Sequence, residues 1–253
     1  MNFSKIIVSS NEDARYIEFW PIIAATWNRM FNVPVHLALL STRKGNDGYV
    51  QWLRQFGKVT VFKPIPGIPE SNLARVIRFI LATQESPNEV VYINNIDLLP
   101  LNRDYFMKLT GDRPQGHLLC VGAEICQDGK FPVGSMTAEA AVFQAVFNPR
   151  GLSYESLVQD WAASSDLPSL ETFSDETLVR DLLATSPVPR WDKPRGWSPY
   201  TAKAICRSDW HIDLARLNAG DYVEARLLQP YVAHAADIQP LVDYCARLSP
   251  ILT

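Results

Sequence analysis

The sequence is short of cysteine and histidine, has no long apolar run and carries no excess of positive charge. Each shortage removes a class of protein. The 4 cysteines, Cys120, Cys126, Cys206 and Cys245, form no CxxC pair, and none of the 4 histidines stands at a spacing typical of zinc. Structural zinc is therefore not expected, and reduced, buried thiols are. No stretch approaches the roughly 18 consecutive apolar residues of a membrane span. The opening residues, MNFSKIIVSS, lack the apolar h-region of a signal peptide. There is no GxGxxG after the first apolar run and no GxxxxGK[ST] anywhere, which disfavours a dinucleotide-dependent dehydrogenase and a P-loop NTPase. A net charge of −3 gives no electrostatic footprint for nucleic acid, so a phosphorylated substrate would need local positive charge. Together these absences predict a soluble cytoplasmic protein with no transmembrane segment and no nucleic-acid partner.

What is present describes a packed α/β protein. Apolar residues make up 47% of 253 and charged residues 20%, with no low-complexity segment. In the first hundred residues, apolar runs alternate with stretches of helical periodicity. Strands are expected at Lys5 to Ser9, Val35 to Leu40, Val59 to Phe62 and Val90 to Ile93. Helices are expected at Asp13 to Phe31, Tyr49 to Phe56 (stopped by Gly57) and Ser71 to Gln84. Such alternation predicts βαβ units and a largely parallel, Rossmann-like sheet. Later, His117 to Val121 reads as a strand, Ala138 to Phe147 as a mixed segment, and Tyr154 to Ala163 as a helix. Asp175 to Leu183 follows as a helix with Ser174 as N-cap. Pro187 to Pro199 is irregular and rich in Pro and Trp, and a last helix spans Ile238 to Leu248. The second half reads as elements added to the first half's sheet. A single domain is expected, divided into residues 1–101 and 102–253.

The stretch EVVYINNIDLLPL, Glu89 to Leu101, organises the chain. A buried apolar run hands over to Asn94-Asn95-Ile96-Asp97 at what would be the carboxyl edge of the sheet, where open α/β sheets bind ligands. The same residues also suit an Asx-type turn. Ser9-Ser10-Asn11, Ser41 to Lys44 and the proline loop after Phe62 would converge on that edge. Asp175-Glu176 is a second acidic feature. A carboxylate pair there suits proton abstraction from a hydroxyl, and also suits the dipole at a helix N-terminus with no catalysis at all.

The run of apolar strand, small polar residue, Asn95-Ile96-Asp97 and apolar-proline segment resembles the GT-A glycosyltransferases, whose acidic Asp-x-Asp motif holds a divalent metal on the donor diphosphate. Phe131-Pro132-Val133-Gly134-Ser135-Met136, Ser174-Asp175-Glu176, Arg195-Gly196-Trp197 and Tyr222-Val223-Glu224-Ala225-Arg226 extend the resemblance. Their order is similar to that of a small GT-A group that includes the rhamnosyltransferase-like domain of a large chlorella-virus protein. The resemblance implies a transferase moving a sugar from a nucleotide-sugar donor, with UDP favoured, to a glycan or lipid-linked glycan acceptor, with inversion. Asp175 or Glu176 would be the base. Asp97 and Asn95 would face the donor and a Mn²⁺ or Mg²⁺ ion, with His234 a further ligand candidate.

Ser9, Asn11 and Tyr16 are candidates for the nucleoside, Arg75, Arg78 and Arg226 for the donor, and Arg43 and Lys44 for phosphate. Trp191 and Trp197 are candidates for an acceptor wall. Arg75 and Arg78 equally suit a solvated helix face, and the tryptophans a core. The chain departs from the family pattern twice. Asn95 stands where the first Asp is expected, and Arg226 where a His is expected. The two departures open a metal-independent alternative in which Arg226 neutralises the leaving diphosphate. A sugar nucleotidyltransferase, or a degenerate fold that binds without turnover, are the competing readings.

Overall fold

The computed structural model describes residues 3–122, 131–164, 174–194 and 203–248. The first four strands are β1 (Lys5–Ser10), β2 (Val35–Leu40), β3 (Lys58–Phe62) and β4 (Val90–Asn94). They are followed by β5 (Leu98–Pro100), β6 (Leu118–Val121), β7 (Ser135–Glu139), β8 (Arg190–Lys193), β9 (Ala204–Ile205) and β10 (Glu224–Arg226). The main sheet has seven strands in the order β3-β2-β1-β4-β7-β6-β8. Six run in one direction, and β7 runs against both neighbours. All six residues of β2 are buried, as expected of a strand covered on both faces.

Parallel neighbours need long crossovers, and helices supply them. Between β1 and β2 lie α1 (Ala14–Ile17) and α2 (Trp20–Phe31); α3 (Gly48–Leu53) joins β2 to β3, and α4 (Glu70–Thr83) joins β3 to β4. Alternation along β1 divides the core. Ile6 and Val8 pack with Trp20, Ile23 and Trp27 of α2, while Ile7 packs with Leu73, Ile77 and Ile80 of α4. Because β1 pairs with β2 on one side and β4 on the other, the strand order reverses there. Such a reversal opens a crevice beyond the carboxyl ends of the two strands.

Several boundaries differ from the sequence expectation. The helix expected over Asp13 to Phe31 is two helices, because Pro21 sits in the first turn of α2, where a proline is tolerated. Farther inside a continuous helix it would clash with the preceding turn. Ala138 to Phe147 divides between β7 and α6 (Ala140–Phe147). β7 is set by pairing rather than by its own composition: it lies along β4, and Thr137 Oγ1 donates to the Val91 carbonyl at 2.7 Å. Part of the irregular Pro- and Trp-rich segment forms β8, on the edge of the sheet beside β6; Arg195, Gly196 and Trp197 lie outside the described residues. The helices α5 (Arg103–Gly111), α7 (Tyr154–Ser164), α8 (Asp175–Thr185), α9 (Leu214–Asn218) and α10 (Tyr231–Arg247) complete the chain. α10 begins before the expected Ile238 and bends at His234, whose backbone is non-helical.

The helix expected over Tyr49 to Phe56 ends at Leu53, with Arg54 as its C-cap, so Gly57 does not stop it but permits a close approach. A Cβ there would lie 2.7 Å from the Val35 carbonyl and 2.9 Å from the Trp20 ring. A second sheet, β5-β10-β9, matters more for the site. Its register sets Arg226 opposite Leu98, and so brings the end of the chain beside Asp97.

Candidate functional site

The crevice between the ends of β1 and β4 is a cleft of about 710 Å³, within the usual range for a small-molecule site. It gathers Ser9, Asn11 and Tyr16 from beyond β1, Arg75 and Arg78 from α4, and Asn95 and Asp97 from beyond β4. Asp175 and Glu176 reach it from α8, and Arg226 from β10.

The residues after β4 form a β-turn, Asn95 to Leu98, closed through the backbone rather than as an Asx turn. Buried Asn94 accepts the Asn95 backbone N–H on its Oδ1 at 2.8 Å, and the Asn95 carbonyl accepts the Leu98 N–H at 3.2 Å. That arrangement leaves the Asn95 and Asp97 side chains at the cleft. Turn and site are one structure here, not alternatives.

Arg78 departs most from expectation. Its residue is only 4% exposed, although its place opposite the first apolar face of α4 suited solvent equally well. The outer side of α4 is covered by Phe143 and Phe147 of α6 and by Leu178 and Val179 of α8, so its guanidinium is enclosed. It donates from Nη1 to Asn95 Oδ1 at 2.5 Å and from Nη2 to Asp175 Oδ2 at 2.8 Å. Burial pulls its pKa down and the charges of Asp175 and Asp97 push it back up; an arginine stays protonated through such a shift. This geometry gives a physical reason for Asn95. The neutral amide accepts a hydrogen bond, whereas a carboxylate there would add a third anion, beside Asp175 and Asp97, around one buried guanidinium.

Asp97 is likewise held from within. Its Oδ2 accepts from Arg207 Nη2 at 2.6 Å and from Gln229 Nε2 at 3.4 Å. Its backbone carbonyl accepts the Leu227 N–H at 2.9 Å, while Arg207 Nε donates to the Leu227 carbonyl at 2.8 Å. Asp97 therefore fastens the segment around β10 over the cleft. Sequence reasoning missed Arg207 and Gln229, which have no local signature and reach Asp97 only through the fold. It also missed Asp13 and Arg15, which line the cleft as an ion pair at 2.5 Å; the polar run NEDAR directly after the first strand was the available signal.

At α8, Ser174 caps the helix as expected, accepting the Thr177 N–H at 3.1 Å. The two acidic residues that follow differ. Asp175 is buried against Arg78. Glu176 is half-buried at the cleft, and its carboxylate makes no ion pair with any described residue. The Glu176 carbonyl accepts the Phe131 N–H at 3.3 Å, tying the Phe131 to Gly134 wall of the cleft to this helix.

Other candidates lie elsewhere. His234, half-exposed on α10, sits 3.3 Å from Asp237 and does not line the cleft; its helix packs against α1, α2 and α9. Arg43 pairs with Glu12 and Asp47 and, like Lys44, is not at the cleft. Trp191 stands on β8, with the Lys193 ammonium 4.3 Å from its ring. Trp197 lies outside the described residues.

For a divalent cation the fit is poor. Among the described residues no three His, Cys, Asp or Glu side chains come together as a ligand group. The expected donors, Asn95 Oδ1 and Asp97 Oδ2, already accept from guanidinium groups.

The charges at the cleft can be divided. Arg15 pairs with Asp13, Arg78 with Asp175, and Asp97 with Arg207. Among the described residues this leaves Arg75, Arg226 and Glu176 as charged cleft groups without an ion-pair partner.

No family model matches the chain, and no curated protein matches its sequence. The fold is similar to that of the galactosyltransferase LgtC solved with donor and acceptor sugar analogs, with a TM-score of 0.51 at 10% identity over 98% of this chain and 97% of that one. Two more distant likenesses score under 0.5. An inositol-1-phosphate CTP transferase from T. maritima gives 0.48 at 10% identity over 98% and 97%. A glycosyltransferase involved in glycosylation of the major capsid of PBCV-1 gives 0.47 at 9% identity over 88% and 92%. The chain has the GT-A glycosyltransferase fold, a mixed and mostly parallel sheet flanked by helices. Among the described residues no helix is long and apolar enough to cross a membrane.

Proposed function

We propose that this chain transfers a sugar from a nucleotide-sugar donor, UDP-linked in the favoured case, to a hydroxyl of a glycan or lipid-linked glycan acceptor. The observation that carries the proposal is the set of charges left without an ion-pair partner among the described residues of the cleft: two arginines, Arg75 and Arg226, and one carboxylate, Glu176. A diphosphate leaving group needs cations, and planar guanidinium groups match phosphate oxygens in pairs. An attacking hydroxyl needs a base.

In this reading the nucleoside end lies against Ser9, Asn11 and Tyr16, and the diphosphate against Arg75 and Arg226. Glu176 accepts the acceptor's proton as its oxygen bonds to the anomeric carbon. The bond from that carbon to the diphosphate oxygen breaks, and the nucleoside diphosphate leaves with the electron pair. Its charge grows as the bond breaks, and cations already in place stabilise it without having to reorganise. Asp175 acts indirectly: with Arg78 it fixes the start of α8 against Asn95, and so positions Glu176 relative to the donor. A single unpaired carboxylate supports direct displacement with inversion.

The test is a panel of UDP-, GDP-, dTDP- and CDP-sugars assayed for release of nucleoside diphosphate, with water or added glycans as acceptor. Turnover of at least one donor is expected, and Glu176→Gln should lower kcat by roughly 10² to 10⁴ fold. Pyrophosphate release from a nucleoside triphosphate and a sugar phosphate would instead make the protein a nucleotidyltransferase. Binding without turnover, unaffected by Glu176→Gln, would make it a non-catalytic binder.

A further inference from the structure

We propose that the donor site works without a divalent cation, with arginines occupying the place a metal would take; this deepens the nucleotide-sugar reading and rests on it. Both side chains that would offer oxygens to a metal already accept hydrogen bonds from guanidinium groups. Asn95 Oδ1 accepts from Arg78 at 2.5 Å, and Asp97 Oδ2 accepts from Arg207 at 2.6 Å and from Gln229 at 3.4 Å. An ion bound at either oxygen would sit within a few ångströms of a guanidinium, where like charges repel strongly in a partly desolvated site.

Each arginine is also held by a second partner. Arg78 is buried and anchored at its other nitrogen by Asp175. Arg207 is anchored at Nε by the Leu227 carbonyl. The positive charge a diphosphate requires is present all the same. Arg226 hangs from β10 directly across from Leu98, one residue beyond Asp97, and Arg75 lies one turn before Arg78 on α4. Two fixed guanidiniums hold the motif closed, and two unpaired ones are left to meet the phosphates.

The experiment is calorimetric titration of the full chain with UDP, once in excess EDTA and once in excess MnCl₂. Binding in EDTA is expected to be no weaker than in MnCl₂, where Mn²⁺ also complexes free UDP. Arg75→Gln and Arg226→Gln should each weaken binding about tenfold under both conditions. Binding lost in EDTA and restored by Mn²⁺ in the unsubstituted protein would overturn the inference while leaving the nucleotide-sugar reading intact. That comparison needs no variant to fold. A Mn²⁺ resonance spectrum supplies a second readout: adding the protein to Mn²⁺ and UDP should leave the free-ion signal as UDP alone sets it, and quenching beyond that level would count against the inference. If UDP, GDP, dTDP and CDP all fail to bind under either condition, the nucleotide-sugar reading falls, and the inference falls with it.

Discussion

Arg78→Met tests the joint on which the cleft is built. The side chains of Arg78 and Asp175 are 5% and 7% exposed and meet at 2.8 Å, so removing the guanidinium strands a buried carboxylate. Breaking such a pair from one side costs roughly 3–5 kcal/mol; the lost bond to half-buried Asn95 adds of order 1 kcal/mol. A total of roughly 4–6 kcal/mol, in a chain where each kcal/mol shifts the melting temperature by roughly 2–4 °C, lowers Tm by about 8–24 °C. The double variant Arg78→Met/Asp175→Leu replaces both charges with apolar groups and should recover most of the loss, since well-packed apolar substitutes for a buried pair are often close to neutral. Thermal melts and urea titrations of both single variants and the double variant give the coupling energy, expected to exceed about 2 kcal/mol. A Tm within about 3 °C of the parent for Arg78→Met, or strictly additive effects, would refute the description of Arg78 as a buried clamp.

Acid sensitivity should originate at the opposite edge of the sheet. Burial would raise the Glu85 carboxyl, but hydrogen bonds from His36 and Lys5 outweigh it and hold it down to about 2. Desolvation lowers the pKa of buried His36, only partly opposed by Glu85, and its ring nitrogens lie 2.8 Å from Glu85 and from Thr60. Both groups take up protons more readily when unfolded. Glu85 therefore stabilises the fold above about pH 4.5 and loses that contribution as the pH falls towards 2, and His36 does the same from about pH 6.5 downward. The urea midpoint should fall through that window, and Glu85→Gln should flatten the fall; an unchanged acid limb would contradict this. Gly57→Ala should cost roughly 1–3 kcal/mol by overpacking, because its Cβ would meet the Val35 carbonyl; a variant as stable as the parent in a urea titration would show that the contact is relieved cheaply.

Much of the architecture was legible because the first hundred residues follow the rules of parallel sheets. Buried strands read as unbroken apolar runs, as VHLALL does, and helices show their apolar face. The carboxyl edge, and with it Ser9, Asn11, Asn95 and Asp97, followed from that pattern. What was not legible depended on contacts distant in sequence. SMTAE has little strand character of its own and becomes β7 only by lying between β4 and β6. Arg78 reads equally well as a solvated residue, and its burial is decided by α6 and α8, which arrive later in the chain. Arg207 is separated from Asp97 by 110 positions, and no local pattern announces the pairing. Asp175 and Glu176 are indistinguishable as a dipeptide at a helix N-terminus. The direction each takes once the helix is docked gives one of them to Arg78 and leaves the other at the cleft.

The central claim is that the cleft beyond β1 and β4 receives a nucleotide diphosphate between Arg75 and Arg226. Crystals of the full chain soaked with UDP test it most directly. The account predicts the diphosphate within hydrogen-bond distance of both guanidiniums, the uridine against Asn11 and Tyr16, and the Glu176 carboxylate open to the vacant sugar position. A nucleotide bound at any other surface, or lying in the cleft with its diphosphate turned away from both arginines, would contradict it.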